Sequence, residues 1–175
     1  MKKITFLLLV ALSTSSLFAQ ETKFGLTAGF LNAEAKASAD GAASFSSSDS
    51  GFYLGALVDI GVTESLHVQP EVLYGNINDS GLLYIPIFLK YYISESGFHL
   101  MGGPQATLNI DEEAEGINNL GIDAAFGLGY DINESFFINA RYAFELTNRV
   151  NSDLEGADGI TARINSLQIG VGYKF

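Results

Sequence analysis

Five charged residues, Asp59, Glu71, Lys90, Arg141 and Glu145, sit inside otherwise apolar stretches of the sequence. Carboxylates, an ammonium and a guanidinium brought together away from water form hydrogen-bonded ion pairs, and the planar fork of Arg141 can serve two carboxylates at once. Glu71 and Glu145 are its expected partners. His67 and His99 raise the possibility of a metal pair or a catalytic base. Neither has a third ligand or a nucleophile beside it, so both read as polar fillers. The acidic stretches "DEEAEG" (111–116) and "NSDLEGADG" (151–159) are rich in the oxygen ligands calcium prefers, but lack the spacing of a helix-loop-helix calcium loop. They read as solvated carboxylates. The Gly-x-Gly pairs at 127–129 and 170–172 precede no helix, unlike a nucleotide loop. No catalytic residue, metal or cofactor is expected.

Period-two alternation positions all of these residues. Apolar side chains recur at every second position from Phe24 to Phe30, Phe52 to Val62, Leu66 to Tyr74 and Leu83 to Ile93. They recur again from Phe98 to Ile110, Ile122 to Ile132, Phe136 to Leu146 and Leu167 to Phe175. Such alternation is the signature of a strand with two unlike faces. The intervening positions carry Thr27, Asp59, His67, Gln69, Glu71, Lys90, His99, Gln105, Asp123, Asn139, Arg141, Glu145, Gln168 and Lys174. Asp59, Glu71, Lys90 and Arg141 fall at similar depth from the short turns, and are expected to meet as a plug of salt bridges. Residues 32–50, rich in Ala and Ser, read as a low-complexity loop, and residues 76–81 and 148–163 as further long loops. Pro70, Pro86 and Pro104 lie inside strands, where bulges are expected.

The solvent of each face follows from distribution. Phe52, Tyr74, Tyr91, Tyr130, Phe136, Tyr173 and Phe175 lie near strand ends and aliphatic residues fill the middles, as in aromatic girdles around a hydrocarbon band. Short connections at 63–65, 94–97 and 133–135 alternate with longer ones, the pattern of periplasmic turns and external loops. An open sheet edge is intolerable in lipid, so the strands must close. The expected fold is all-β: an eight-stranded antiparallel up-and-down transmembrane β-barrel spanning 20–175. Alternation alone also fits a soluble periplasmic calyx around an apolar ligand.

"MKKITFLLLVALSTSSLFAQ" has the basic start, short apolar run and small-residue end of a secretory signal peptide. It is expected to occupy 1–19, with cleavage between Ala19 and Gln20. The formal net charge is −11, which argues against nucleic acid as a partner, and the absence of cysteine excludes disulfides and thiolate metal sites.

The runs "GFYLGALVDIGVTESLHVQPEVLY", "LLYIPIFLKYY", "GFHLMGGPQATL", "INARYAFELTN" and "LQIGVGYKF" resemble successive strands of the PorT-like outer-membrane β-barrel family. The resemblance covers roughly residues 23–175 and implies an outer-membrane location with no assigned activity. A few members resemble a secretion-system component. Leu167, Ile169, Val171, Tyr173 and Phe175 resemble the carboxy-terminal signal read by the outer-membrane insertion machinery of Gram-negative bacteria. The expected partners are outer-membrane lipid and that machinery, with the loop partner unidentified. The expected role is structural or adhesive, with a narrow channel or secretion accessory as the alternative.

Overall fold

The structure, a computed structural model, describes residues 22–39, 44–111, 116–151 and 159–175. The expected signal segment and most of the two acidic stretches lie outside them. Eight strands follow in order: β1 (Thr22–Ala39), β2 (Phe45–Gly61), β3 (Leu66–Ile77), β4 (Ser80–Tyr92), β5 (Phe98–Asn109), β6 (Leu120–Asp131), β7 (Phe136–Glu145) and β8 (Ile160–Lys174). Each pairs antiparallel with the next, and β8 returns to β1 to close the barrel. That last seam runs from Gly25 opposite Lys174 to Ala39 opposite Ile160. Phe175 donates its backbone N–H to the Phe24 carbonyl at 2.8 Å.

The apolar set points outward on every strand. Phe24, Leu54, Val72, Leu89, Leu100, Leu128, Ile138 and Val171 are all exposed. A soluble calyx would turn this set inward, so that reading fails. The interior is instead layered. Nearest the short turns lie Asp59, Gln69, Glu71, Lys90, His99 and Arg141, all buried. Above them comes one apolar cluster, Leu31, Tyr53, Leu73, Ile77, Leu82 and Tyr84; a second, Phe88, Met101, Ala125 and Ala143, reaches down among the polar set, with Phe88 opposite Gln69 and Met101 opposite Lys90. Gln105, Thr107, Asp123 and Glu145 form a second polar layer toward the loops. The expected plug of salt bridges is thus only part of the filling. A closed eight-stranded wall leaves room only for side chains, and aliphatic and aromatic groups fill that room without needing partners.

Size alternates as strictly as polarity. Between β1 and β2, Gly25 faces Leu57, Thr27 faces Gly55, Gly29 faces Tyr53 and Leu31 faces Gly51. Tyr53 also faces Gly75 on β3. A Cβ on Gly170 would lie 2.0 Å from the Tyr53 hydroxyl oxygen, and one on Gly172 would lie 2.1 Å from the Phe137 ring. The inward glycines are the slots that admit large neighbours.

Four expectations are corrected by the backbone. Residues 32–50 are not a loop: β1 continues to Ala39 and β2 begins at Phe45. In "NAEAKASA" alanines occupy every second place on the inward side, and Asn32, Glu34, Lys36 and Ser38 continue the outward one, so strand periodicity persists while the outward face turns from apolar to polar. Residues 76–81 contain a two-residue turn with Asn78 at φ 49° and Asp79 at φ 65°. Two successive left-handed residues match the twist of a tight hairpin, and Asn and Asp tolerate that conformation. The third long loop is shorter than expected, because β8 starts at Ile160. The prolines produce no bulge either. Register is unbroken on both sides of Pro70, from Leu57 opposite Glu71 to Ile60 opposite Val68. Pro70 keeps its pairing to β4 opposite Ile87. Pro86 likewise faces Gln105 on β5 and Pro104 faces Ala124 on β6. Each proline lacks a donor toward one neighbour only, and the ladder skips there without inserting a residue.

Leu128 is 57% exposed on the outer wall. Leu128→Arg should destabilise the barrel by about 2–4 kcal/mol, read by urea unfolding from phospholipid bilayers. An unchanged midpoint would mean that this face does not meet hydrocarbon.

Candidate functional site: a buried ion relay

The inward register of β2, β3, β4 and β7 places Asp59, Glu71, Lys90 and Arg141 in one hydrogen-bonded relay. Arg141 Nη1 donates to Glu71 Oε2 at 2.6 Å. Gln69 Nε2 donates to the other oxygen of Glu71 at 2.6 Å. Gln69 Oε1 accepts from Lys90 Nζ at 2.9 Å, and Lys90 Nζ donates to Asp59 Oδ2 at 2.8 Å. Asp59 Oδ1 lies 2.6 Å from His67 Nδ1. An ionised carboxylate only accepts, so that nitrogen carries the proton. The relay branches at Lys90, which also donates to the Tyr92 hydroxyl at 3.0 Å. Tyr92 donates to Asp131 Oδ2 at 2.9 Å, and Lys174 Nζ reaches the same oxygen at 2.6 Å.

The four charges expected at one depth therefore form two pairs, Arg141 with Glu71 and Lys90 with Asp59, joined by a neutral amide. Gln69 is the residue that joins them. Its position on the polar face was legible, whereas its bridging role depends on which side chains cross the lumen. Lys174 stood on the polar face by alternation, and Tyr92 and Asp131 continue the inward alternation of β4 and β6, which is the signal that could have found them.

Arg141 occupies a slot made for it. It stands opposite Gly127, where a Cβ would come within 2.8 Å of the Arg141 Cβ. Its guanidinium carbon lies 5.3 Å from the centre of the Tyr53 ring and 5.5 Å from that of Phe88. A planar, weakly hydrated cation between two rings, with one edge on a carboxylate, is an environment that suits arginine better than lysine.

Glu145 does not join Arg141. Both of its oxygens accept from Arg149 Nε, at 2.9 and 3.0 Å. Arg149 also donates from Nη1 to the Asn119 carbonyl at 3.0 Å and from Nη2 to the Thr107 carbonyl at 3.3 Å. The expected pairing is corrected because Arg149 folds back over the loop end of the lumen, four residues past Glu145. It lies outside any strand, so no periodicity marked it. Nearby, Asp123 Oδ2 accepts from Gln105 at 2.8 Å and from the Thr107 hydroxyl.

His67 and His99 are not brought together as ligands. Their rings flank Tyr92, with centroids 4.8 and 4.9 Å from its own. A cavity of about 310 Å³ opens at the turn end between Asp59, Glu64, His67, Tyr92, Asp131 and Lys174. Of these, Asp59 is engaged by His67, and Asp131 by Tyr92 and Lys174. These hydrogen bonds crosslink β2, β3, β4, β6 and β8 at the turn end of the lumen. Leu167, Ile169, Val171, Tyr173 and Phe175 lie along the outer face at the closing seam, with the Tyr173 ring 4.9 Å from Phe136 and 5.1 Å from Phe175.

The sequence matches the outer membrane protein beta-barrel domain family over residues 4–175. The chain belongs to that family. Its location is the outer membrane, and lipid is the environment of its apolar outer wall. Among solved structures, Neisserial surface protein A is similar, with 18% identity and a TM-score of 0.50 over 89% of this chain and 100% of that one. A de novo designed transmembrane β-barrel is similar at 16% identity with a TM-score of 0.52, covering 89% and 98%. The attachment invasion locus protein Ail of Yersinia pestis has 16% identity and a TM-score of 0.49, covering 89% and 100%. No curated protein matches the sequence. These likenesses are of fold, and fold alone carries no activity.

Removing one partner of a buried ion pair leaves the other uncompensated. Arg141→Leu in this outer-membrane barrel should cost about 3–5 kcal/mol. The double change Arg141→Leu with Glu71→Leu should recover part of that loss. Strictly additive effects in urea unfolding would show that the two do not stabilise each other.

Proposed function

We propose that this outer-membrane barrel has no enzymatic site and no open pore, and serves a structural or adhesive role through the part of it outside the membrane. The observation that carries this reading is the division of labour along the strands. The lumen is filled by polar, apolar and polar layers in succession, and an ion crossing it would have to pass the Leu31, Tyr53, Leu73 and Tyr84 cluster. Outside, β1, β2 and β8 run on together beyond the apolar wall as far as Ala37, Phe45 and Ala162. Investment in an external sheet over a blocked interior supports contact rather than transport. Reconstituted in planar bilayers, the protein should give no unitary current steps. Replacing 33–49 with a two-residue turn should leave heat-modifiable gel migration intact while abolishing any surface attachment. Reproducible conductance would favour the alternative, a narrow channel or secretion accessory of the PorT-like kind.

The export route is part of the proposal. Residues 1–19 serve as a signal peptide, and Leu167, Ile169, Val171, Tyr173 and Phe175 present a signal to the insertion machinery. Protein recovered from outer membranes should then begin at Gln20 by N-terminal sequencing. Deleting Tyr173–Phe175 should abolish the heat-modifiable folded form, since β8 loses both that signal and its pairing with Gly25 and Leu26. Normal migration of the truncated chain would refute the role given to these residues.

A further inference from the structure

Strand alternation continues without interruption above the membrane, and that continuity gives the extension an outer face. Register between β1 and β2 is constant from Thr22 opposite Ile60 to Ala37 opposite Phe45. Register between β1 and β8 is constant from Gly25 to Ala39. Lys36 therefore faces the same side as Phe30, and Arg163 the same side as Ile169. Outward polarity changes between Phe30, 46% exposed on the wall, and Asn32, whose side chain bonds Ser48 and Ser50. Lys36 lies four residues beyond Asn32, about 13 Å along the strand. Allowing for strand tilt, that is about 10 Å above the edge of the apolar band, level with the headgroups and first sugars of the outer leaflet.

At that height Lys36 and Arg163 are direct cross-strand partners. Like charges placed opposite each other destabilise a sheet unless something offsets them. Glu34 Oε2 lies 3.0 Å from Lys36 Nζ, which accounts for one cation but not for both. A concavity of about 400 Å³ surrounds the pair, with the side chains of Ser38, Ser46 and Thr161 beside it. The Ser38 and Thr161 hydroxyls are 2.6 Å apart. Two cations and several hydroxyl donors on one face suit a phosphate, which accepts many hydrogen bonds and carries more than one negative charge. In a chain of formal net charge −11, this is a local reversal of sign. Its height and its lipid-side facing select the source of the anion.

We propose that Lys36 and Arg163, with Ser38, Ser46 and Thr161, form a binding site for the phosphorylated saccharide of an outer-leaflet glycolipid. The site rests on the outer-membrane location and is independent of whether the external sheet is adhesive.

The test uses the full chain folded into bilayer nanodiscs, with fluorescent lipopolysaccharide as probe. Three probes are compared: phosphorylated lipopolysaccharide, the same material after enzymatic dephosphorylation, and soluble inorganic phosphate as competitor. The wild-type barrel should retain the phosphorylated form, and Lys36→Gln with Arg163→Gln should hold it about tenfold more weakly. Lys36→Arg should bind like wild type. Dephosphorylation should weaken wild-type retention to the level of the double variant, and millimolar inorganic phosphate should displace little. Heat-modifiable migration reports folding, and Arg163→Gln alone is read if the double variant does not fold. Equal retention by wild type and variant, or indifference to dephosphorylation, would overturn the site. Efficient displacement by inorganic phosphate would overturn the glycolipid as its occupant.

Discussion

Hydrocarbon offers no hydrogen bonds, and this single fact governs the molecule. Every backbone N–H and C=O inside the membrane must find a partner in the chain itself, so the sheet cannot end. The seam between β1 and β8 is therefore a necessity of the whole wall. The same demand explains how prolines are tolerated. Each one withholds a donor toward one neighbour and keeps its pairing to the other, so the ladder loses single rungs without losing register.

Closure creates a second problem, because a narrow sealed lumen must be filled. This chain fills it with apolar clusters and with polar side chains that include buried ion pairs. Such pairs contribute little net stability compared with apolar packing of similar volume, but breaking one is costly. Their value here is in linkage. Through Glu71, Gln69, Lys90 and Asp59 the relay joins β7 to β3, β4 and β2, which are strands that the wall alone connects only through neighbours. The glycine slots admit large side chains from adjacent or next-but-one strands, and the relay acts across the lumen.

The outer wall was legible in the sequence because lipid imposes one rule at every outward position. Phe24 through Phe175 could be placed by polarity alone, and facing follows from period two. The pairing of Arg141 with Glu71 was within reach for a related reason: both stand on the polar face at comparable depth, and Gly127 leaves space. The partner of Glu145 was not, since Arg149 approaches from a connection whose path no pattern encodes. Residues 32–39 were misjudged because the outward apolar set stops at Phe30 and polar residues take its place, so spacing persists while the polarity that marked it is lost. The Asn78–Asp79 turn was hidden for the opposite reason, since a polar cluster reads equally well as a long loop or a two-residue one. Polarity also could not reveal the apolar layer inside. Leu31, Tyr53, Leu73 and Tyr84 interrupt the polar face, and their meaning appears only once the strands are placed side by side.

The alternation of glycines with large inward residues has a consequence for how the wall is put together. Slippage of one strand past another by a single residue is caught at once, because it turns the apolar face inward. Slippage by two residues escapes that check, since polarity repeats every second position. Side-chain volume does not repeat so evenly. On β1 and β2, shifting by two toward one side sets Thr27 against Leu57 and Leu31 against Tyr53, where glycine now gives way to each large residue. Shifting the other way sets Gly25 against Gly55 and Thr27 against Tyr53, which opens a gap beside a collision. Polarity tells each strand which way to face, and volume tells it where to stop.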